Sequence, residues 1–197
     1  MRSEFQANIR NTALVLLSGG IDSTACIEFY RSLNFYIKAL FFEYGQLAAE
    51  PEKKASKLIS QYYQIPLQVI SCVGAYSKTP GVIDGRNAFL ILGALLEFKE
   101  LSGIIAVGIH SGTSYFDCSK EFIQTAQSII NGYTDGRIQI GTPFLEWTKP
   151  EIWKYCISRK VPLHLTYSCE LGSNQPCGHC LSCGDLEALY ACSKLNP

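Results

Sequence analysis

The sequence predicts a doubly wound parallel α/β sheet with a small cysteine-held module at its C-terminal end. Three observations carry that prediction. Short, nearly continuous apolar runs alternate with amphipathic helical stretches, the pattern of a parallel sheet covered on both faces. The first apolar run breaks at a Ser-Gly-Gly turn that leads directly into a helix. Near the other end, Cys169, Cys177, Cys180 and Cys183 crowd into the string SCELGSNQPCGHCLSC.

The elements follow in order. Ala13–Leu17 (ALVLL) is the first strand, and a helical pattern runs from Ile21 to about Leu33. Tyr36–Phe42 (YIKALFF) is the second strand. A helix rich in Ala, Glu and Lys follows from about Leu47 to Tyr63, with Pro51 in its first turn, where a missing N–H does no harm. Leu67–Ser71 is the third strand, Arg86–Glu100 a long apolar helix, and Ile104–Ile109 the fourth strand. A helix over Asp117–Ile130, a short strand Arg137–Ile140 and a helix Lys149–Arg159 complete the pattern, the last with Thr148 as its N-cap. Thr166–Gly184 is rich in Gly, Cys, Ser and Asn and shows no periodicity.

Composition narrows the functional classes. Of 197 residues, 47% are hydrophobic and 17% charged, which argues against disorder and for a buried sheet. The formal net charge is zero, whereas a dedicated nucleic-acid binder carries a basic excess to neutralise phosphates. Direct nucleic-acid binding is therefore not expected. Ser3, Glu4, Gln6, Asn8 and Arg10 interrupt the start, and no apolar run is long enough to span a bilayer, so a cytoplasmic protein without a membrane role is expected. In that compartment nine cysteines read as thiols and metal ligands rather than disulfides. Cys26, Cys72, Cys156 and Cys192 lie among apolar residues and read as small core side chains.

The clustered cysteines have the spacing that wraps thiolates around a tetrahedral Zn²⁺, with Zn–S bonds of about 2.3 Å. Such a tether explains how a segment without a core of its own becomes ordered. The expected organisation is an α/β domain over residues 1–160 and a zinc-binding segment over 161–197 packed on it. Four thiolates close the metal's coordination, so the role is structural, and His179 is a bystander.

In LVLLSGGIDSTAC the strand–turn–helix presents the N–H groups of Ile21, Asp22, Ser23 and Thr24 at the positive end of a helix dipole, an anion site. Ser18, Ser23 and Thr24 add hydroxyls, and Gly19 and Gly20 allow close approach to a ligand. The Gly-Lys-Ser/Thr and G-x-G-x-x-G signatures are both absent. SGGIDST instead resembles the pyrophosphate loop (PP-loop) of ATP pyrophosphatases, which cleave ATP between its α and β phosphates. Asp22 is either a first-turn acid favoured by the dipole or the anchor of a Mg²⁺ ion between it and the phosphates. Phe41 and Phe42, at the end of the second strand, either contact adenine or pack in the core.

Further strings extend the likeness: EYGQ at 43–46, GRN at 85–87, YFDC at 115–118, TPF at 142–144 and TKPEI at 148–152. With SGGIDST and the cysteine string, this ordered series resembles the 7-cyano-7-deazaguanine synthase (QueC) family of the queuosine pathway, over nearly the whole chain. The resemblance implies an adenine nucleotide alpha hydrolase-like fold, ATP as cosubstrate and a homodimer. It also implies adenylation of 7-carboxy-7-deazaguanine, displacement of AMP by ammonia, and dehydration of the amide to the nitrile. Ser18, Gly19, Gly20, Asp22, Ser23 and Thr24 would hold the phosphates. Arg86 would meet phosphate or carboxylate, or form a surface ion pair. Tyr115, Phe116 and Asp117 would recognise the guanine-like base, or form a loop and helix cap. Lys149 would stabilise developing negative charge.

The chain departs from that family's usual pattern at several positions. Leu47 and Ala48 stand where Arg-His is usual, Ser119 where Arg is usual, Gly184-Asp185 where Leu-Arg is usual, and His110 where Asn is usual. Loss of arginine forks is not conservative. It admits a second reading, a paralogue that adenylates a deazaguanine acid and conjugates it to an amine of a protein or small molecule, in 7-deazaguanine modification or antiviral defence. A non-catalytic nucleotide sensor would bind ATP without turnover, and a tRNA thiolase would need a persulfide or iron–sulfur cluster.

Overall fold

The structure is a computed structural model that describes residues 11–72, 83–110, 112, 115–173 and 175–195. The expectation about Ser3–Arg10 and the side chain of Cys192 lie outside these. The strands are β1 (Thr12–Leu16), β2 (Tyr36–Glu43), β3 (Leu67–Ser71), β4 (Gly103–Ala106) and β5 (Ile138–Gly141). The helices are α1 (Ile21–Ser32), α2 (Ala49–Tyr63), α3 (Arg86–Glu97), α4 (Lys120–Thr134), α5 (Lys149–Ser158) and α6 (Leu181–Leu195).

All strand pairs are parallel, in the order β3-β2-β1-β4-β5. The chain thus winds outward from β1 in one direction and returns to β1 to wind outward in the other. Alternation along each strand divides the core. Ala13, Val15, Ile37, Ala39 and Ala106 face a layer containing side chains of α1, α2, α5 and α6, whereas Leu14, Leu16, Leu40, Phe42 and Ile105 face α3 and α4. Cys26 and Cys156 are fully buried in the first layer, as small core side chains should be. Cys72 packs at the edge of the second.

Boundaries differ from the sequence pattern where local chemistry overrides periodicity. The third helix stops at Glu97, because Phe98 turns to extended backbone and buries its ring. The helix expected from Asp117 begins only at Lys120: a 3-10 turn over Phe116–Cys118 precedes it, and Ser119 caps it by accepting from the Phe122 N–H at 3.1 Å. Position 119, where the resemblance calls for arginine, is thus used as a helix cap. The start of α5 is where the sequence places it: Pro150 follows Lys149, and the Glu151 carboxylate accepts from the Thr148 N–H at 2.7 Å and its hydroxyl at 2.8 Å.

The final helix, α6, is a correction, because the sequence pattern assigns no element to its fifteen residues. It begins inside the cysteine string and carries Cys183 and Gly184, both poor helix formers. Its packing signal lies in Leu186, Leu189 and Tyr190, which face the first core layer or α5; Leu189 is buried and the Tyr190 ring meets Trp153 edge-on at 5.1 Å. No helix is long and apolar enough to cross a membrane among the described residues.

Candidate active site

The carboxyl end of β1 lies at the point where strand order reverses, the place where open parallel sheets bind ligands. Leu17 extends the strand by donating to the Leu40 carbonyl, and its own carbonyl accepts from the buried Ser56 hydroxyl of α2 at 2.9 Å. The chain then turns through Ser18-Gly19-Gly20. Gly19 has φ +82°, and a Cβ there would lie 2.8 Å from the Glu52 carbonyl oxygen, so the turn rests directly on the first turn of α2.

The i→i−4 ladder of α1 begins with Thr24 N–H on the Gly20 carbonyl, leaving the N–H groups of Ile21, Asp22 and Ser23 ahead of it. The side chains sort themselves differently from the expectation. Thr24 is fully buried and its hydroxyl donates to the Gly20 carbonyl at 2.7 Å; Ser23 donates to the same oxygen at 3.0 Å. These hydroxyls hold the loop shut from within, so Thr24 shapes the anion site instead of lining it. Ser18 is exposed at the mouth, with its Oγ 3.1 Å from that of Ser23.

Asp22 carries the geometry that defines the site. Its Oδ2 accepts from Lys149 Nζ at 2.5 Å and lies 3.9 Å from His110 Nε2, while Oδ1 is buried without a hydrogen-bond partner among the described residues. A buried, unsatisfied carboxylate oxygen is costly unless a further positive group joins it. His110 arrives because the chain beyond β4 passes very close to α1: a Cβ on Gly108 would lie 2.7 Å from Ser23 N and 2.8 Å from Asp22 C. Gly112 N–H donates to His110 Nδ1 at 3.0 Å, which puts the neutral imidazole's proton on Nε2, facing Asp22. Burial lowers the His110 pKa and Lys149 adds to this, against Asp22 and Asp185. In the sequence His110 stands out only as a departure.

A second group adjoins the loop. Gln46 is held by its own turn: Oε1 accepts from Tyr44 N–H at 2.9 Å, and Nε2 donates to the Phe42 carbonyl and to Glu52 Oε2, both at 3.0 Å. The Arg86 guanidinium stands beside Tyr44 and Glu52, and its Nε donates to Asn87 Oδ1 at 3.3 Å. Asn87 in turn donates its side-chain N–H to the Asp117 carbonyl at 2.9 Å, and its backbone N–H to Asp117 Oδ2 at 3.3 Å. GRN and YFDC therefore meet, with Asp117 bonded to the start of α3. Tyr115 is 40% and Phe116 62% exposed, leaving both rings open to a ligand. Phe42 is elsewhere: 6% exposed, against Phe89 and the face of Gly93, it is core.

The four cysteine sulfurs lie within 4.8 Å of one another, and Cys177 Sγ and Cys183 Sγ are 3.9 Å apart. Bonds of about 2.3 Å to one tetrahedral ion require sulfurs about 3.8 Å apart. The cluster is thus compatible with a single metal ion. This segment also reaches the phosphate loop: Tyr167 N–H donates to the Gly19 carbonyl at 2.9 Å, and Tyr167 OH to the Ser173 carbonyl at 2.8 Å. It crosses the EYGQ turn closely enough that a Cβ on Gly172 would lie 2.2 Å from the Leu47 carbonyl. Ala48, where the resemblance calls for histidine, is 3% exposed beneath it.

The sheet and the loop after β1 are those of the ATP-using PP-loop class, and the family match makes this an ATP-dependent enzyme that forms C–N bonds. The comparisons give the family. The sequence model of "Queuosine biosynthesis protein QueC" matches residues 12–77 and 77–191. A 7-cyano-7-deazaguanine synthase of Campylobacter jejuni subsp. doylei is 32% identical over 200 residues, covering 87% of this chain and 89% of the relative. The Nautilia profundicola synthase is 32% identical over 198 residues with the same coverage, and a Desulfitobacterium hafniense synthase 33% identical over 198 residues, 87% of this chain and 84% of its own. Among solved structures, a 4-thiouridine synthetase in complex with RNA and bound ATP aligns with a TM-score of 0.53 at 17% identity, covering 92% of this chain and 50% of that one, which speaks to fold alone. The chain belongs to the QueC family.

The close pass of Gly108 beneath α1 makes a direct prediction. Gly108→Ala pushes the end of β4 away from the loop and should weaken ATP binding about tenfold or more, equivalent to about 1.4 kcal/mol, as measured by isothermal titration calorimetry.

Proposed function

We propose that this protein is a 7-cyano-7-deazaguanine synthase. ATP adenylates the carboxylate of 7-carboxy-7-deazaguanine with release of pyrophosphate, ammonia displaces AMP to give the amide, and a second ATP-dependent step dehydrates the amide to the nitrile. A carboxylate is a poor electrophile, and its mixed anhydride with AMP supplies a leaving group. The protein's task is then to position reactants and stabilise charge. The observation that carries the reading is Asp22, with one oxygen on Lys149 and the other buried and unpartnered among the described residues, at the open end of α1.

In this reading the N–H groups ahead of the α1 ladder, with Ser18, Gly19, Gly20 and Ser23, surround the phosphates. The orphaned Asp22 oxygen suits Mg²⁺, which would neutralise phosphate charge when bound. Lys149, which pairs with Asp22, would be the cation that meets the developing negative charge. Arg86 meets the acyl or phosphate oxygens. Tyr115 and Phe116 stack on the base, and Asp117 presents its carboxylate to the base edge. Cys169, Cys177, Cys180 and Cys183 hold Zn²⁺ as a closed structural site, making residues 161–197 a zinc-stabilised segment packed on the α/β domain. Leu96, Leu101 and Tyr133, about four-fifths exposed and lining one groove, support self-association as a homodimer. A reducing cytoplasmic setting suits four cysteines kept as metal ligands and not as disulfides.

The test is mass spectrometry after incubation with 7-carboxy-7-deazaguanine, ATP and ammonium. The expected product is the nitrile, with AMP and pyrophosphate. An adduct on a protein amine would replace this reading with the conjugating paralogue, and tight ATP binding without turnover would leave only a sensor. The zinc assignment has its own test. Cys180→Ser should release the metal and lower the melting temperature; unchanged metal content and melting temperature would sink it.

A further inference from the structure

Glu52 lies where two reactants must meet, and neither phosphate binding nor base recognition uses its side chain. Its backbone touches the phosphate loop, since a Cβ at Gly19 would lie 2.8 Å from the Glu52 carbonyl oxygen. On its other side stands Arg86, whose Nε bonds Asn87, which bonds Asp117. If the phosphates sit at the loop and the base at Asp117, the bond joining acyl group and phosphate lies between them. Glu52 and Arg86 occupy that interval.

The carboxyl is also held in a defined pose. Both Gln46 Nε2 hydrogens are committed, one to the Phe42 carbonyl and one to Glu52 Oε2, and Gln46 Oε1 is fixed by Tyr44 N–H. This clamp holds one carboxyl oxygen through a side chain that cannot swing away without breaking backbone bonds, and the other oxygen lies outside the clamp.

We propose that Glu52 is a catalytic residue: the base that receives the proton released when ammonia attacks the activated acyl carbon, with Tyr44, Gln46, Glu52 and Arg86 forming the ammonia site. The proposal rests on the synthase reading. The ammonia lone pair forms the C–N bond, the bond from the acyl carbon to the AMP oxygen breaks and AMP leaves with that electron pair. One N–H proton passes to the Glu52 carboxylate, leaving the neutral amide.

The electrostatics suit the role. Burial pushes the Glu52 carboxyl up to about 7, with the Gln46 hydrogen bond and the Arg86 charge opposing. Tyr44 and Tyr167 also face it. A base poised near the working pH combines the correct protonation state with useful basicity. Because the deprotonated form acts, amidation rises with pH through about 7.

The test separates the two halves of the reaction in the metal-loaded protein. Exchange of labelled pyrophosphate into ATP, with the carboxylate substrate and no ammonia, reads adenylation. Single-turnover amide formation at constant free ammonia reads amine attack. Glu52→Gln should keep exchange within about twofold of the unmodified protein, lose about 10²-fold in amidation, and lack the limb that rises through neutral pH. Equal amidation in the variant, or an equal fall in exchange and amidation, would overturn the proposal. If Glu52→Gln does not fold, Glu52→Asp decides: slower amidation with exchange kept supports the proposal, and unchanged amidation overturns it. No exchange in the unmodified protein would instead defeat the synthase reading itself.

Discussion

The parallel pairing of β1 with both β2 and β4 is the constraint on which the rest of the structure depends. A strand with parallel neighbours on both sides must send its chain over one face of the sheet and receive it back over the other. The turn after β1 therefore opens into a crevice that no crossover covers. The N-terminus of α1 points its free N–H groups there, and the starts of α2 and α3 border the same edge. The second constraint is steric. Gly19 and Gly108 let α2 and the end of β4 close on the loop to distances that a side chain would forbid, which fixes Asp22 between Lys149 and His110.

The C-terminal segment is tied to this same loop. Its link is the Tyr167 N–H on the Gly19 carbonyl, a few residues before the cysteine cluster. The cysteine cluster and the loop after β1 are thus joined through one short segment. The departures from the family pattern sit in distinct local settings. Ala48 lies beneath the crossing segment, Ser119 is recruited as a cap for α4, and Asp185 faces His110.

Much of this is legible in the sequence because the responsible signals are local. Apolar runs mark the strands, Ser-Gly-Gly the loop, Thr148 and Pro150 the start of α5, and cysteine spacing the gathering of the four thiols. What escapes depends on distant partners. Thr24 looks like a phosphate-binding hydroxyl until its bond to the Gly20 carbonyl is seen, and Phe42 like a nucleotide contact until Gly93 makes room for its ring in the core. Glu52 and His110 have no sequence signature of their own. One becomes interesting through burial beside Gln46 and the other through Gly108's passage beneath α1. The helix α6 is hidden by Cys183 and Gly184, and by the cysteine string that overlaps its first turn.

The central claim is that this crevice joins a carboxylate oxygen to the α-phosphorus of ATP before the amine arrives. Oxygen-18 in the substrate carboxylate follows that bond directly. If the acyl adenylate forms and ammonia cleaves it at carbon, one labelled oxygen leaves in the phosphate of AMP and the amide retains the other. Label in inorganic phosphate, or AMP that carries none, would contradict the claim.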